Sequence, residues 1–121
     1  MELVIIATDD VSVYIPFSAE VEALGYEAFW ASNGLEAVME TERRHPLVVF
    51  LDERLPVLNP YEACENLRMI PEFHRDLPIY LITHNEVDPR AREMAGFTGE
   101  FPASHGAWAL QDLMAHISTR R

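Results

Sequence analysis

The stretch Pro46-Leu-Val-Val-Phe-Leu-Asp52 places five consecutive apolar residues directly before a carboxylate. A continuous apolar run of this length is typical of a strand that is covered on both faces of a parallel sheet. Pro46 separates the run from the helical pattern before it. We therefore predict a buried central strand over residues 47–51, with Asp52 at its carboxyl end.

Four more strand patterns alternate with helical patterns around this run. They cover Leu3–Ala7, Glu27–Ala31, residues 78–83 and residues 100–102. Strands that alternate with helices are typical of a parallel sheet with helices on both faces. The sequence thus predicts an α/β fold, a doubly wound (βα)₅ domain over residues 1–121. Pro102 lacks an amide donor, so the fifth strand is expected at the sheet edge or to end there.

Composition limits the function. The formal net charge is −11, and all nine cationic side chains are arginines, so the chain has no lysine. This acidity disfavours binding to nucleic acid or to anionic membranes, and the missing lysine excludes mechanisms that need one. Cys64 has no partner for a disulfide, and no signal peptide or membrane-spanning run is present, so we expect a cytoplasmic protein.

Polar side chains follow three of the predicted strands. Thr8, Asp9 and Asp10 come after the first strand, Asp52 after the third and Thr83 after the fourth. Sites in open α/β sheets form outside the carboxyl ends of the strands, so these side chains are expected to converge there. Asp9 and Asp10 are equally consistent with N-caps of the first helix.

The whole chain resembles a response-regulator receiver domain of the chemotaxis-regulator type. The motifs that carry the resemblance occur in the family's order and at nearly its spacing: residues 46–52, Arg54-Leu-Pro56, Leu67-Arg68, Leu77-Pro78-Ile79, Leu81-Ile-Thr83, Leu24-Gly25-Tyr26, residues 33–37 and Ala95-Gly96. The resemblance implies a flavodoxin-like three-layer sandwich.

The resemblance also implies a site. Asp52 matches the aspartate that accepts a phosphoryl group from a histidine kinase, and Thr83 matches the residue that contacts this group. Asp9, Asp10 and Asp52, with the backbone carbonyl of Arg54, match the Mg²⁺ ligands. The family's spacing favours Thr8 and Asp9 as the acid-pair positions, whereas a one-residue deletion would restore Asp9 and Asp10.

Partners follow from the same resemblance. A receiver domain meets a histidine kinase or a downstream signalling protein, and it is not an enzyme. The implied contact surface, also the expected homodimer surface, comprises the fourth helix, fifth strand and fifth helix, roughly residues 88–121. No effector domain follows the last helix, so the output is expected in another chain.

Several positions depart from the family pattern. The lysine after strand five falls on Ala103, and no realignment can supply it because the chain has none. The small residue after the threonine is His84, which is expected to crowd the phosphoryl pocket. The strand-five aromatic that moves with the threonine falls on Glu100, and alternation sends Phe101 to the other face. Pro16 is expected to delay the first helix to about Tyr14 or to kink it, which would shift the metal site.

Three functions remain from the sequence. The first is an atypical receiver with impaired phosphorylation at Asp52 that acts through protein contacts. The second is an ordinary Mg²⁺-dependent receiver phosphorylated on Asp52. The third, a small enzyme or flavin carrier on the same architecture, ranks last because Thr8-Asp-Asp-Val-Ser12 has no phosphate-binding glycine.

Overall fold

The computed structural model describes residues 1–73 and 76–119. The strands are β1 (Leu3–Ala7), β2 (Glu27–Ala31), β3 (Val48–Asp52), β4 (Ile79–Thr83) and β5 (Gly99–Pro102). The helices are α1 (Val11–Ala23), α2 (Gly34–Arg44), α3 (Pro60–Met69), α4 (Pro89–Ala95) and α5 (Ala107–Thr119). A short 3₁₀ turn at Pro71–Phe73 is the element that the sequence did not predict.

All strands pair in parallel, in the order β2-β1-β3-β4-β5. This arrangement confirms the predicted (βα)₅ doubly wound fold. Its central strands β1 and β3 are buried along their whole length, as their unbroken apolar sequences indicate. Since the strands are parallel, Ala7, Asp52 and Thr83 all end at the same edge of the sheet.

The helices cover the sheet in two layers. Side chains of α1 and α5 pack on one face around Phe50, which is fully buried. Side chains of α2, α3 and α4 pack on the other face around Leu51 and Leu81. Successive residues of β3 point to opposite faces, so this strand contributes side chains to both layers. Burying one side chain of this size stabilises the fold by about 2–3 kcal/mol.

Of the two outcomes expected for Pro16, a late start of α1 is not observed. The helix begins at Val11 rather than near Tyr14, with Asp10 as its N-cap and Pro16 inside it. The Asp10 carboxylate accepts from the Ser12 amide at 2.9 Å, and the amides of Val13 and Tyr14 donate to the Asp10 carbonyl. The cap therefore starts the helix before the proline, which removes one amide donor.

The fifth strand agrees with its prediction. It pairs only with β4, and Pro102 is its last residue, opposite Thr83. Phe101 is buried against Phe17 and Phe50, whereas Glu100 is exposed. Within the described residues, no helix is long and apolar enough to cross a bilayer.

The loop after β3 is fixed against the start of α2. The Gly34 amide donates to the Pro56 carbonyl at 3.3 Å. A Cβ on Gly34 would overlap the backbone carbonyl of Leu58. The loop itself carries two non-glycine residues with positive φ, Val57 at 62° and Leu58 at 132°. Gly34 thus permits a close approach that holds the chain just beyond Asp52.

Replacing Gly34 with alanine is expected to lower the free energy of unfolding by about 2–3 kcal/mol, because the new Cβ displaces the loop backbone. Urea denaturation measures this change. Gly106→Ala is the matched control, since a Cβ there meets nothing within 4 Å, and its effect should stay within about 0.5 kcal/mol. Equal stability of the two variants would contradict the close approach.

Candidate functional site

Asp52 is the centre of the candidate site. Its side chain is fully buried at the end of β3. The Thr8 hydroxyl donates to Asp52 Oδ2 at 2.8 Å, and the Arg54 amide donates to Asp52 Oδ1 at 2.9 Å. A buried carboxylate needs such donors because it has lost its water. Thr8 is itself fully buried, so β1 and the loop after β3 hold Asp52 from two sides.

His84 provides the third contact to Asp52. Its Nε2 lies 3.1 Å from each Asp52 carboxylate oxygen. Its side chain is 17% exposed, which leaves the imidazole between the buried carboxylate and the surface. His84 therefore occupies the space beside Asp52, as its position after the fourth strand predicts.

Glu53 positions the backbone around this histidine. The amides of His84 and Asn85 both donate to Glu53 Oε1, the second at 2.9 Å. The Glu53 amide in turn donates to the Ile82 carbonyl at 3.0 Å. Glu53 is thus hydrogen-bonded to the backbone on both sides of Thr83. These bonds fix the backbone from which the His84 side chain extends.

Arg54 joins two carboxylates at this edge. Its Nη2 lies 3.3 Å from Asp10 Oδ2, and its Nε lies 3.5 Å from Asp52 Oδ1. Hydrogen bonds from the side chain and amide of Ser12, followed by the charge of Arg54, lower the pKa of Asp10 from its ordinary value. Both side chains are partly exposed, so water and salt screen the Arg54–Asp10 contact and it adds little stability.

Asp9 and Thr83 stand apart from these contacts. Asp9 is exposed, and it makes no hydrogen bond or ion pair with another described residue. Thr83 is buried at the end of β4, and its carbonyl accepts from the Ala103 amide at 2.8 Å. Thr8, rather than Asp9 or Asp10, is the residue after β1 that touches Asp52 directly.

The structure also describes the position at which the family carries its lysine. Ala103 follows β5 next to Thr83, and it brings no cation to Asp52. His105 instead packs edge-on against Phe101, with ring centroids 5.8 Å apart. Glu100, at the position of the family's aromatic, pairs with Arg92 at 3.3 Å on the surface. Within residues 1–73 and 76–119, the arginine that reaches Asp52 is Arg54.

Mg²⁺ prefers an octahedral set of oxygen ligands, several of them waters. Both Asp52 oxygens already accept hydrogen bonds, and Asp10 caps α1 while it pairs with Arg54. In the part of the chain that the structure describes, no three His, Cys, Asp or Glu side chains are grouped to hold a metal ion. The present arrangement therefore does not fit Mg²⁺ unless His84 and Arg54 turn away.

Two features of the site were missed by sequence reasoning. The guanidinium of Arg54 was not considered, since only its carbonyl had a predicted role. Trp30 was treated as a packing residue, yet its Nε1 donates to the Thr8 carbonyl at 2.8 Å and its ring stacks on Tyr14 at 4.5 Å. Contacts between residues so distant in sequence leave no local signal in a single chain.

The Thr8→Val variant is expected to lower the free energy of unfolding by about 2 kcal/mol, because the buried Asp52 carboxylate loses a donor. Urea denaturation at neutral pH measures the change. Thr41→Val is the matched control: Thr41 is equally buried, but its hydroxyl donates to a carbonyl of its own helix, Ala37, at 2.7 Å. A loss at Thr8 no larger than at Thr41 would contradict this account of the site.

Known proteins resemble this chain in sequence. The family model described as the response regulator receiver domain matches residues 4–98. The probable transcriptional regulator ycf27 of Pyropia yezoensis is 32% identical over 82 residues, which cover 68% of this chain and 32% of that protein. The chain thus spans about a third of the length of this relative.

Solved structures show the same fold. The chemotaxis response regulator CheY4 of Vibrio cholerae superposes with a TM-score of 0.88 at 22% identity, covering 97% of this chain and 98% of the other. The receiver domain of the sensor histidine kinase PA1611 from Pseudomonas aeruginosa PAO1 superposes with a TM-score of 0.86 at 25% identity, covering 97% and 98%. That structure has a magnesium ion coordinated in its active-site cleft.

The sequence match over residues 4–98 and the parallel sheet in the order β2-β1-β3-β4-β5 point to the same family. The chain belongs to the response regulator receiver domains of two-component signalling.

Proposed function

We propose that the chain is an atypical receiver module in which phosphorylation of Asp52 is impaired and which acts through contacts with other proteins. It performs no chemistry on a small substrate. The observation that carries the proposal is the contact of His84 Nε2 with both oxygens of the Asp52 carboxylate, each at 3.1 Å.

The His84 contact impairs phosphorylation for a steric and an electronic reason. The attacking oxygen of an aspartate must approach the phosphorus in line with the leaving group, at about 3–3.5 Å. A ring 3.1 Å from both oxygens fills that approach. The same contact uses the oxygen lone pairs that would attack, so the histidine must leave before Asp52 reacts.

The missing lysine adds to this effect. Phosphoryl transfer depends on cations that stabilise the charge of the transferring group. The chain has no lysine, and Ala103 stands where the family carries one. A cation about 4 Å from an anion contributes about 4 kcal/mol before desolvation at an effective dielectric of 20. Its loss lowers the rate of transfer by orders of magnitude.

Protein contacts then supply the signal. The proposed surface comprises α4, β5 and α5, which also serve as the homodimer face. Met94 on α4 and Trp108 on α5 are 85% and 77% exposed, and large exposed apolar side chains are common at protein interfaces. The partners are a histidine kinase or a downstream signalling protein. Arg120 and Arg121, at the end of this predicted surface, lie outside the described residues.

Charge and cysteine content support the proposed partners and cellular location. The net charge of −11 repels nucleic acid and anionic lipid. Cys64 is buried and unpaired, and burial raises the pKa of its thiol to about 12, so it stays a neutral packing residue. These features suit a module in the reducing cytoplasm.

The proposal predicts that Mg²⁺ with acetyl phosphate leaves no acyl phosphate on Asp52, and that Mg²⁺ with beryllofluoride, a mimic of that group, leaves the fluorescence unchanged. An acyl phosphate adds about 80 Da and is lost in mild alkali, so intact-mass spectra before and after alkali measure it. His84→Ala removes the blocking ring and is expected to give a detectable alkali-labile adduct where the wild-type protein gives none.

Asp52→Asn is the control that locates the adduct. A wild-type protein that forms an alkali-labile adduct in good yield, and loses it in Asp52→Asn, would contradict the proposal. A His84→Ala protein that remains as unreactive as wild type would show that the histidine is not the block.

The alternative is an ordinary Mg²⁺-dependent receiver, favoured by the position of Asp52, Thr83 and Asp10 at one edge of the sheet. In that case His84 and Arg54 turn outward. Asp9, Asp10 and Asp52 with the Arg54 carbonyl would then be the residues that hold Mg²⁺, whose positive charge would stabilise the phosphoryl group, and the Thr83 hydroxyl would contact that group.

Trp30 reports on this alternative, since its indole donates to the carbonyl of Thr8, whose hydroxyl binds Asp52. Titration with Mg²⁺ to the millimolar range is expected to leave Trp30 fluorescence unchanged. Quenching that saturates, and that Asp52→Ala abolishes, would favour the ordinary receiver. Trp108→Phe removes the second tryptophan and serves as the background for both proteins.

A further inference from the structure

We propose that the outer face of α2 and the tip of the loop after β3 form a docking surface for a basic amphipathic helix of a partner protein. Three exposed apolar side chains make up this surface, which we call the α2 patch: Leu35, Met39 and Val57. The inference goes beyond the proposed function, because α3 packs against both α2 and α4 and so separates the α2 patch from the surface of α4, β5 and α5.

The three side chains of the α2 patch are neighbours. Leu35 and Met39 are four residues apart on α2, so they lie on the same face, one turn from each other. The loop meets the start of the same helix, since the Gly34 amide donates to the Pro56 carbonyl at 3.3 Å. Val57 is the next residue of the loop and is therefore held beside the first turn of α2.

Val57 is presented to solvent by an unfavourable backbone. Its φ is 62°, in a region that β-branched residues rarely adopt, and Leu58 follows with a φ of 132°. The Val57 side chain is nevertheless 67% exposed, so packing in the core does not account for it. A glycine would adopt the same φ without strain. Strained residues of this kind cluster at binding sites, and a contact with a partner explains why an apolar side chain stands here.

Carboxylates border the apolar side chains. Glu36 and Glu42 are exposed and are each three residues from Met39, so both lie next to it on α2. Glu42 makes no hydrogen bond or ion pair with another described residue. At the other end of the loop, Glu62 is exposed and accepts from the Asn59 side chain at 2.6 Å. The α2 patch thus has an apolar centre and an acidic rim.

The two arginines of α2 pair with carboxylates other than those of the rim. Arg43 donates to both oxygens of Glu40, at 3.0 and 2.7 Å, and Arg44 binds Glu27 at 2.7 Å. A partner that carries lysine or arginine beside its apolar side chains would therefore meet opposite charge at the rim. The net charge of −11 would also steer such a partner towards this chain.

Spacing and charge indicate the class of partner. Leu35 and Met39 are separated by one helical turn, about 5.4 Å. A helix laid along α2 can match this spacing with apolar side chains at i and i+3 or i+4, and its cationic side chains then reach the rim. The flexible methionine adapts to such a face. A second copy of this chain would bring its own acidic rim, so like charges oppose a homodimer through the α2 patch.

Fluorescence anisotropy of the full chain with a labelled synthetic peptide tests the proposal. The probe has about 15 residues, the length at which an isolated helix forms, with leucine at i, i+3, i+4 and i+7 and lysine at most other positions. This leucine–lysine peptide is expected to bind. A peptide with glutamate in place of lysine is expected not to bind. A peptide with alanine in place of leucine, which keeps the helix, is expected to bind more weakly on the order of tenfold.

Substitutions locate the binding surface. Met39→Lys places a charge in the apolar centre and is expected to weaken binding of the leucine–lysine peptide on the order of tenfold. Met69→Lys is the matched control, because it makes the same charge change at an exposed methionine in the groove between α3 and α4. It is expected to leave the affinity unchanged. Val57→Gly removes an apolar side chain and fits the positive φ, so it is expected to weaken binding while the protein stays folded, which circular dichroism checks.

Four results would overturn the inference. The first is a wild-type protein that does not bind the leucine–lysine peptide. The second is an equal loss of affinity in Met39→Lys and Met69→Lys, or equal affinity for the leucine and alanine peptides, since either would mean attraction by charge alone. The third is full affinity in Val57→Gly. The fourth is a dimer in sedimentation velocity that Met39→Lys abolishes, which would assign the α2 patch to a second copy. None of these results involves Asp52, so the proposed function would stand.

Discussion

A carboxylate that is fully removed from water shapes the whole carboxyl edge of this sheet. Asp52 ends the central strand β3, and its burial costs several kcal/mol unless donors replace the lost water. The Thr8 hydroxyl and the Arg54 amide are donors to it, and His84 Nε2 lies 3.1 Å from both of its oxygens. They come from the ends of β1, β3 and β4, so one buried charge ties three neighbouring strands together.

The same constraint explains why neither oxygen of the Asp52 carboxylate lacks a protein contact. In a receiver that binds Mg²⁺, the metal ion and its waters contact the carboxylate oxygens of the aspartate. Here protein groups contact the Asp52 carboxylate instead. The nearby positive charge is the Arg54 guanidinium, which also pairs with Asp10. Other arginines are paired as well, since Arg43 binds Glu40 and Arg92 binds Glu100. A phosphate that approached these arginines would compete with the carboxylates that they already contact.

Sequence reasoning predicted the fold better than the contacts of the site. The apolar runs give β1 and β3 to within a residue, and the missing amide of Pro102 places β5 at the edge. The late start of α1, one of the two outcomes expected for Pro16, was wrong because the cap at Asp10 begins the helix before the proline. The sequence also indicated that His84 lies beside Asp52. It did not indicate the ring nitrogen, the guanidinium of Arg54 or the Glu53 anchor, since those contacts depend on side-chain torsions and on loops.

The contacts that connect Asp52 to the protein surface therefore differ from those expected for the family. In the family, the strand-five aromatic moves with the threonine, but Glu100 points to solvent and pairs with Arg92. Phe101 cannot take that role, because it is buried on the opposite face against Phe17. The continuous link from Asp52 to the surface instead runs through Thr8 to Trp30, which is 41% exposed on the edge strand β2. These contacts join the buried Asp52 carboxylate to the edge strand β2, where the Trp30 ring stacks on Tyr14 of α1.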